Sequence, residues 1–420
     1  MAHWLGLYLF GKALRVVQTP SELPVSDAII NYTAQPLAQN SLHIAPHGLL
    51  AQEGLVPQTI TVVHGPHYPM LFAGEGALGF DLLAASFYLL SRYEEYLPHT
   101  TDSYGRYAHT NAVAFKEGFL HRPLVDEWLV ALKTTLKAQF PRLVFAKRQA
   151  VYLPTFDVDL AWCYAQKGFW RNAGGLALQM LQGRFTDAVT RLNVWVNGVR
   201  DPFDVYADLE ALHQKHGLVP HWFFLLALQQ KGYDKNIDPR RLAYQQLMQQ
   251  TAGKYPTGLH CSWQAAHSQT LLMAEKNLLQ SIIYQPVTAN RYHYLKFGLP
   301  QGYAQLKPLF SQDYSMGYGS INGFRASTCT PFFWYNLDSE TATNLLLFPM
   351  AYMEANSIFE QKDGAETSLA ELQRLYDAVK QVDGLFITIF HNHLMGLDER
   401  GRTWWNVYER FLSRNFTRLA

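Results

Sequence analysis

From Val151 onward, short apolar runs alternate with longer segments whose apolar residues recur every three or four positions. The runs are VYL, HWFFLLAL, TGLHC, YHYLKF and LFITIF. Between most of them lie the helical patterns DPFDVYADLEALHQKHG, PRRLAYQQLMQQTAG, QTLLMAEKNLLQSII and ETSLAELQRLYDAVKQV. Alternation at this spacing predicts βα units around a mainly parallel sheet. Roughly 270 residues of it suit a complete or partial (β/α) barrel, whose chemistry gathers where the strands end.

Residues 1–145 follow another pattern. Short extended candidates, TITVVHG at 59–65 the clearest, are separated by Pro, Gly and Asn. A helix is predicted over GFDLLAASFYLLSRYEEYL, stopped by Pro98, and a second from Val125 to Pro141. The expected organisation is a smaller α+β N-terminal domain at 1–145 and an α/β barrel at 150–420, joined at AKRQA.

Bulk properties narrow the function. With 35 basic against 34 acidic residues in 420, the chain lacks the overall basic excess of a nucleic-acid binder. No stretch offers the roughly 18 apolar residues of a membrane span. Three scattered cysteines make no disulfide framework, and the N-terminus lacks the basic start of a signal peptide, so a cytoplasmic protein is expected. The 24 Tyr, 25 Phe and 10 Trp suit sugar stacking as well as core packing. Oligomeric state is not readable from these features.

Candidate chemistry sits at the strand ends. Asp157 and Asp159 close LPTFDVDL, two residues apart and so on one face of a strand. His260 ends TGLHC, Arg291 and His293 flank the start of RYHYLKF beside Tyr294, Asp313 opens DYSMGY, and His391 ends LFITIF. Acids and imidazoles at successive strand ends fit a metal hydrolase. Paired acids at a strand end are also compatible with simple solvation.

Order and wording add to this. TFDVD resembles the T-F-D-D motif of the NodB-type polysaccharide deacetylases, carbohydrate esterase family 4. Gly258-Leu259-His260, Arg291-Tyr292-His293-Tyr294, Asp313 and ITIFH match that family's later motifs in the family's order. LLSRYEEYL, KGFWRNAGG, DPFDVY, DYSMGY, NGFRAST and FHN resemble a bacterial branch with an uncharacterised domain ahead of the barrel. The resemblance implies a distorted or incomplete (β/α) barrel of NodB type and removal of acetyl groups from N-acetylated sugars.

It also implies roles. Asp157 is the expected base, oriented by Arg291, and His391 the expected acid, tuned by Asp313. Asp159 and His260 are the expected holders of a divalent metal, with zinc the expected ion. Tyr294, through its backbone N–H, and Trp263 are the candidate contacts to the carbohydrate substrate, with core packing the alternative for Trp263. The family's second motif places another His four residues after the first, where this chain has Gln264. His293, in place of that family's Pro, is the favoured third ligand, with His267 the alternative.

Two other readings stay open. A catalytically silent relative that binds a sugar or a protein accounts for the disrupted second motif. A glycosidase needs two carboxylates facing each other across a bond, roughly 5–9.5 Å apart, which a pair on one strand face serves poorly.

Overall fold

A computed structural model describes residues 1–416 except 24–27 and 38–39. In the first 140 residues, strands β1 (Ile30–Asn31) and β2 (Leu42–His43) pair in parallel. Strands β3 (Val62–His64) and β4 (Pro69–Leu71) pair antiparallel. Helices α1 (Ala2–Phe10), α2 (Leu82–Leu90), α3 (Tyr93–Tyr96), α4 (Val113–Lys116) and α5 (Leu124–Gln139) accompany them. The single helix expected before Pro98 is two. Asp81 caps α2 by accepting from the Ala84 N–H, and Arg92, in the left-handed conformation at φ 56°, ends its run.

Everything after Val151 is organised by one nine-stranded sheet. Its strands are β5 (Val151–Val158), β6 (His221–Leu225), β7 (Thr257–Cys261), β8 (Ala289–Tyr292) and β9 (Gln312–Asp313), then β10 (Phe332–Asn336), β11 (Thr341–Leu347), β12 (Tyr352–Met353) and β13 (Leu385–His391). The spatial order is β10-β11-β9-β8-β7-β6-β5-β13-β12, parallel throughout except for the β10–β11 hairpin. The backbone from Leu346 to Met353 serves both sides of this order. Phe348 N–H donates to the Asp313 carbonyl in β9, and Ala351 N–H donates to the Ile387 carbonyl in β13. Phe223, Tyr314, Met350, Ile387 and Ile389 form a dry cluster between those strands.

Helices α6 (Phe169–Leu181), α7 (Phe185–Asn197), α8 (Tyr206–His216), α9 (Leu242–Ala252), α10 (Gln269–Ile283), α11 (Gln301–Leu306), α12 (Ala365–Gln381) and α13 (Glu399–Asn415) complete the fold. The architecture is mixed α/β. The alternation of apolar runs did not reveal the β10–β11 hairpin or α6 and α7, which interrupt it. YHYLKF is not a strand: β8 stops at Tyr292 because Tyr294 and Leu295 both turn to positive φ, 57° and 51°. That turn points His293 off the strand end.

The first 140 residues and the sheet share one apolar core, and buried charges tie them further. Glu95 of α3 accepts from Arg92 Nε at 2.7 Å and from Arg325 Nε and Nη2 at 2.9 and 2.5 Å. All three side chains are buried. Burial by itself raises the Glu95 carboxyl, but Arg325 and Arg92 outweigh it and hold it at about 2, against an ordinary 4.5. A carboxyl depressed on folding contributes stability that is present above pH 4.5 and fades as pH falls toward 2.

Removing one member of such a cluster leaves unpaired charge in the core. Glu95→Gln is expected to lose about 3–5 kcal/mol in urea unfolding at pH 7. The difference from the parent chain should narrow as the titration is repeated toward pH 3.

Candidate metal centre

Asp157 lies in β5 opposite His391 in β13 and Phe223 in β6, and Asp159 follows one residue past the strand end. Asp157 is 2% exposed, and its Oδ1 accepts from Arg291 Nη1 at 2.6 Å. Arg291 is itself fully buried, seated over the Phe223 ring at 4.3 Å, and donates through Nε to the Tyr314 carbonyl. Two further contacts therefore hold the guanidinium that holds the acid. Asp157 Oδ2 remains directed at His260 Nε2, 3.6 Å away.

Three imidazoles converge on Asp159. His260 Nε2 is 3.1 Å from its Oδ1, and His293 Nε2 and His391 Nε2 are 3.6 and 3.7 Å from its Oδ2. Each ring is anchored through its other nitrogen. His260 Nδ1 faces the Arg291 carbonyl at 3.0 Å, His293 Nδ1 faces Asp234 Oδ1 at 2.9 Å, and His391 Nδ1 faces both Glu354 oxygens at 3.1 Å. An acceptor at Nδ1 fixes one proton there, so Nε2 is the nitrogen that can give up its proton to a cation or to a substrate.

The charges follow this arrangement. Burial opposes ionisation of Asp159, yet His293 and His391 hold it well below the usual carboxylate range. Burial pulls His293 and His391 down, but Asp159 with Asp234 lifts the first to about 9, and Glu354 with Asp159 lifts the second to about 10. Half-buried His393 beside them is pushed down to about 4, because desolvation with His391 and His293 outweighs Asp159.

Asp159, His260 and His293 place one ligand atom each within 4.8 Å of one another, the only such group among the described residues. The donor set fits a borderline divalent ion such as zinc. A second observation agrees with that fit. Asp159 Oδ1 is buried and makes no hydrogen bond, so a lone pair on the oxygen facing His260 is left for a cation.

The remaining predicted residues divide. His267 is exposed on a short turn and takes no part. At the position of the missing imidazole, the N–H groups of Trp263 and Gln264 donate to Asp234, the acid that orients His293. The backbone there braces the acid behind His293. Asp313 does not reach His391. It accepts from Ser315 and Asn290, and burial lifts it to about 6 against those bonds. The acid paired with His391 is Glu354. Tyr294 lines the cavity, while Trp263 packs behind it, ring centroids 5.9 Å apart.

A cavity of about 300 Å³ opens over these groups, and the first 140 residues supply part of its wall. Tyr104 stacks on Tyr294 at 5.4 Å, and Arg106 donates to the Tyr294 and Gly319 carbonyls. A larger cavity, about 1050 Å³ between Trp4, Phe87 and Phe333, lies away from this cluster. Motif reading missed Asp234, Glu354, Tyr104 and Arg106. Glu354 left one sign, a lone acid closing the apolar stretch LLLFPMAYME. Asp234 left none.

Residues 4–141 match a family of unknown function, DUF7033. No curated protein matches the chain. Solved structures similar to it include candidate polysaccharide deacetylases from Mycobacterium smegmatis and Pseudomonas aeruginosa PAO1. The first is 11% identical over 64% of this chain and 86% of that one, with a TM-score of 0.40. The second is 10% identical over 63% and 84%, with a TM-score of 0.39. A polysaccharide deacetylase from Bacillus cereus is 10% identical over 64% and 88%, with a TM-score of 0.31. Likeness at this level establishes no activity.

Acids that orient ligating imidazoles typically govern affinity by one to two orders of magnitude. Asp234→Asn is expected to weaken zinc binding about 10–100-fold by calorimetric titration. Asp159→Asn should abolish it, with the circular dichroism of both variants unchanged.

Proposed function

We propose that residues 150–420 form a distorted (β/α) barrel of NodB type and act as a metal-dependent deacetylase on N-acetylated sugars or glycoconjugates. Residues 1–145 form an N-terminal unit that completes the cavity wall. The observation that carries this reading is the cluster at Asp159. Three anchored imidazoles face one carboxylate, with a second carboxylate clamped by a buried arginine beside it.

Asp159, His260 and His293 would hold the ion, which when bound polarises a carbonyl and lowers the pKa of water. Asp157 is the base. Arg291 fixes one of its oxygens and leaves the other facing the cavity side of His260, so proton uptake has a defined site. Glu354 holds one proton at His391 Nδ1 and keeps the ring charged, so the second proton, on Nε2 facing the cluster, is the one given to the departing amine. Asp313 serves the backbone around Ser315 and acts only as support.

The aromatic wall suits a carbohydrate ring. Tyr104, Tyr233 and Tyr294 lie with ring centroids 5.1–5.6 Å apart, and Trp263 backs them. Such faces pack against the C–H side of a sugar. The competing reading, a silent sugar-binding relative, is favoured by Gln264 in the second motif. It predicts binding without turnover.

Acetate release from N-acetylated oligosaccharides separates the two. The zinc-loaded chain should release acetate, lose the activity to a chelator and regain it with zinc. Asp157→Asn should lower kcat about 100-fold or more while zinc affinity stays near that of the parent chain. Sugar binding with no acetate from any loaded form would establish the silent relative.

A further inference from the structure

Helices α6 and α7 form a hairpin that turns broad apolar faces outward. Phe185, Val189, Leu192 and Val196 repeat at helical spacing along α7 and are 59%, 58%, 42% and 65% exposed. On α6, Trp170 and Leu181 are 84% and 86% exposed, and Phe169 and Leu178 are 60% and 53%. The side chains turned inward are mixed: Ala188 and Val194 are buried on α7, and Asn172 and Gln179 on α6. Arg191 donates through Nε to Gln179 Oε1 at 2.7 Å and through Nη1 to Asn172 Oδ1 at 3.1 Å, and both amides are buried. Gly175 makes room for this: a Cβ there would meet the guanidinium at 2.6 Å.

The Arg191 hydrogen bonds to Gln179 and Asn172 fix how the two helices face each other, and that leaves the apolar stripes outside. An apolar surface of this extent marks a docking site. Its charge points to the occupant. Residues 167–200 carry Lys167, Arg171, Arg184, Arg191 and Arg200 against Asp187 alone, whereas the whole chain is balanced at 35 to 34. Arg184 pairs with Asp187 and Arg200 with Asp208, while exposed Arg171 meets no carboxylate among the described residues. Two copies of so basic a hairpin repel each other. An anionic lipid surface attracts it and accepts its apolar faces and its exposed aromatic residues, Phe169, Trp170 and Phe185.

We infer that the α6–α7 hairpin seats the protein on an anionic membrane surface, lying in the headgroup boundary. No helix among the described residues is long and apolar enough to cross a bilayer. The mount is stiff. Asp201 accepts from the N–H groups of Cys163, Tyr164, Ala165 and Phe203, gripping both ends of the insertion. Asn392, next to His391, donates to the Leu160 and Phe203 carbonyls. A bilayer under the hairpin thereby sets the orientation of the cavity. This docking is independent of the chemistry proposed above.

The test is co-sedimentation of the full chain with vesicles of equal parts phosphatidylglycerol and phosphatidylcholine. Pelleting with these vesicles, much weaker with phosphatidylcholine alone and reduced by salt, is the expected result. Trp170→Ser, Leu181→Ser and Val189→Ser combined should lower partitioning at least about tenfold, because binding scales with apolar area inserted. Their exposure predicts an unchanged melting temperature, checked by circular dichroism. Absence of pelleting, or equal pelleting of parent and triple variant, would overturn the inference. So would a parent that sediments as a dimer without binding vesicles and becomes monomeric in the triple variant, which assigns the face to a second copy.

Discussion

A carboxylate surrounded by three imidazoles constrains much of this molecule. Asp159 can face His260, His293 and His391 only if each ring is held by its other nitrogen. The chain therefore places an acceptor behind every one: a strand carbonyl, Asp234 and Glu354. Those acceptors need holding in turn. Two backbone N–H groups secure Asp234, and the backbone N–H of His391 itself secures Glu354. Concentrated charge at the sheet's end is compatible with a stable fold because each imidazole and each of these acids has a fixed partner.

The same economy appears away from the site. Glu95 with two buried arginines, and Asp126 accepting from Thr328, Cys329 and Thr330, tie α3 and α5 to the segment after β9. Arg106 reaches from the first 140 residues to the carbonyl of Tyr294, a residue in a left-handed turn. The N-terminal unit thus shapes the cavity wall directly. A segment with no chemistry of its own in the sequence still positions an aromatic face over the cluster.

The alternation of runs and helical patterns after Val151 made the parallel strands readable, because burial on both faces leaves near-continuous apolar runs. The β10–β11 hairpin did not show: its burial is uneven and its residues are mostly polar at one edge. The break at Arg92 was equally hidden. An arginine inside a helical pattern reads as a solvated residue, and it is Glu95, with Glu94 and the Tyr318 hydroxyl, that explains why it turns inward.

For the cluster, residue type and chain order sufficed to nominate Asp157, Asp159, His260, Arg291, His293 and His391, since strand ends in parallel sheets converge. Which acid stands behind which imidazole was decided by tertiary structure alone. Asp313 is near β8 in register and far from β13 in sheet order, whereas Glu354 follows β12, the direct neighbour of the strand that carries His391. Sequence determines which groups are available and at which strand end they emerge. Partnership between them depends on the order of strands in space, which no local pattern encodes.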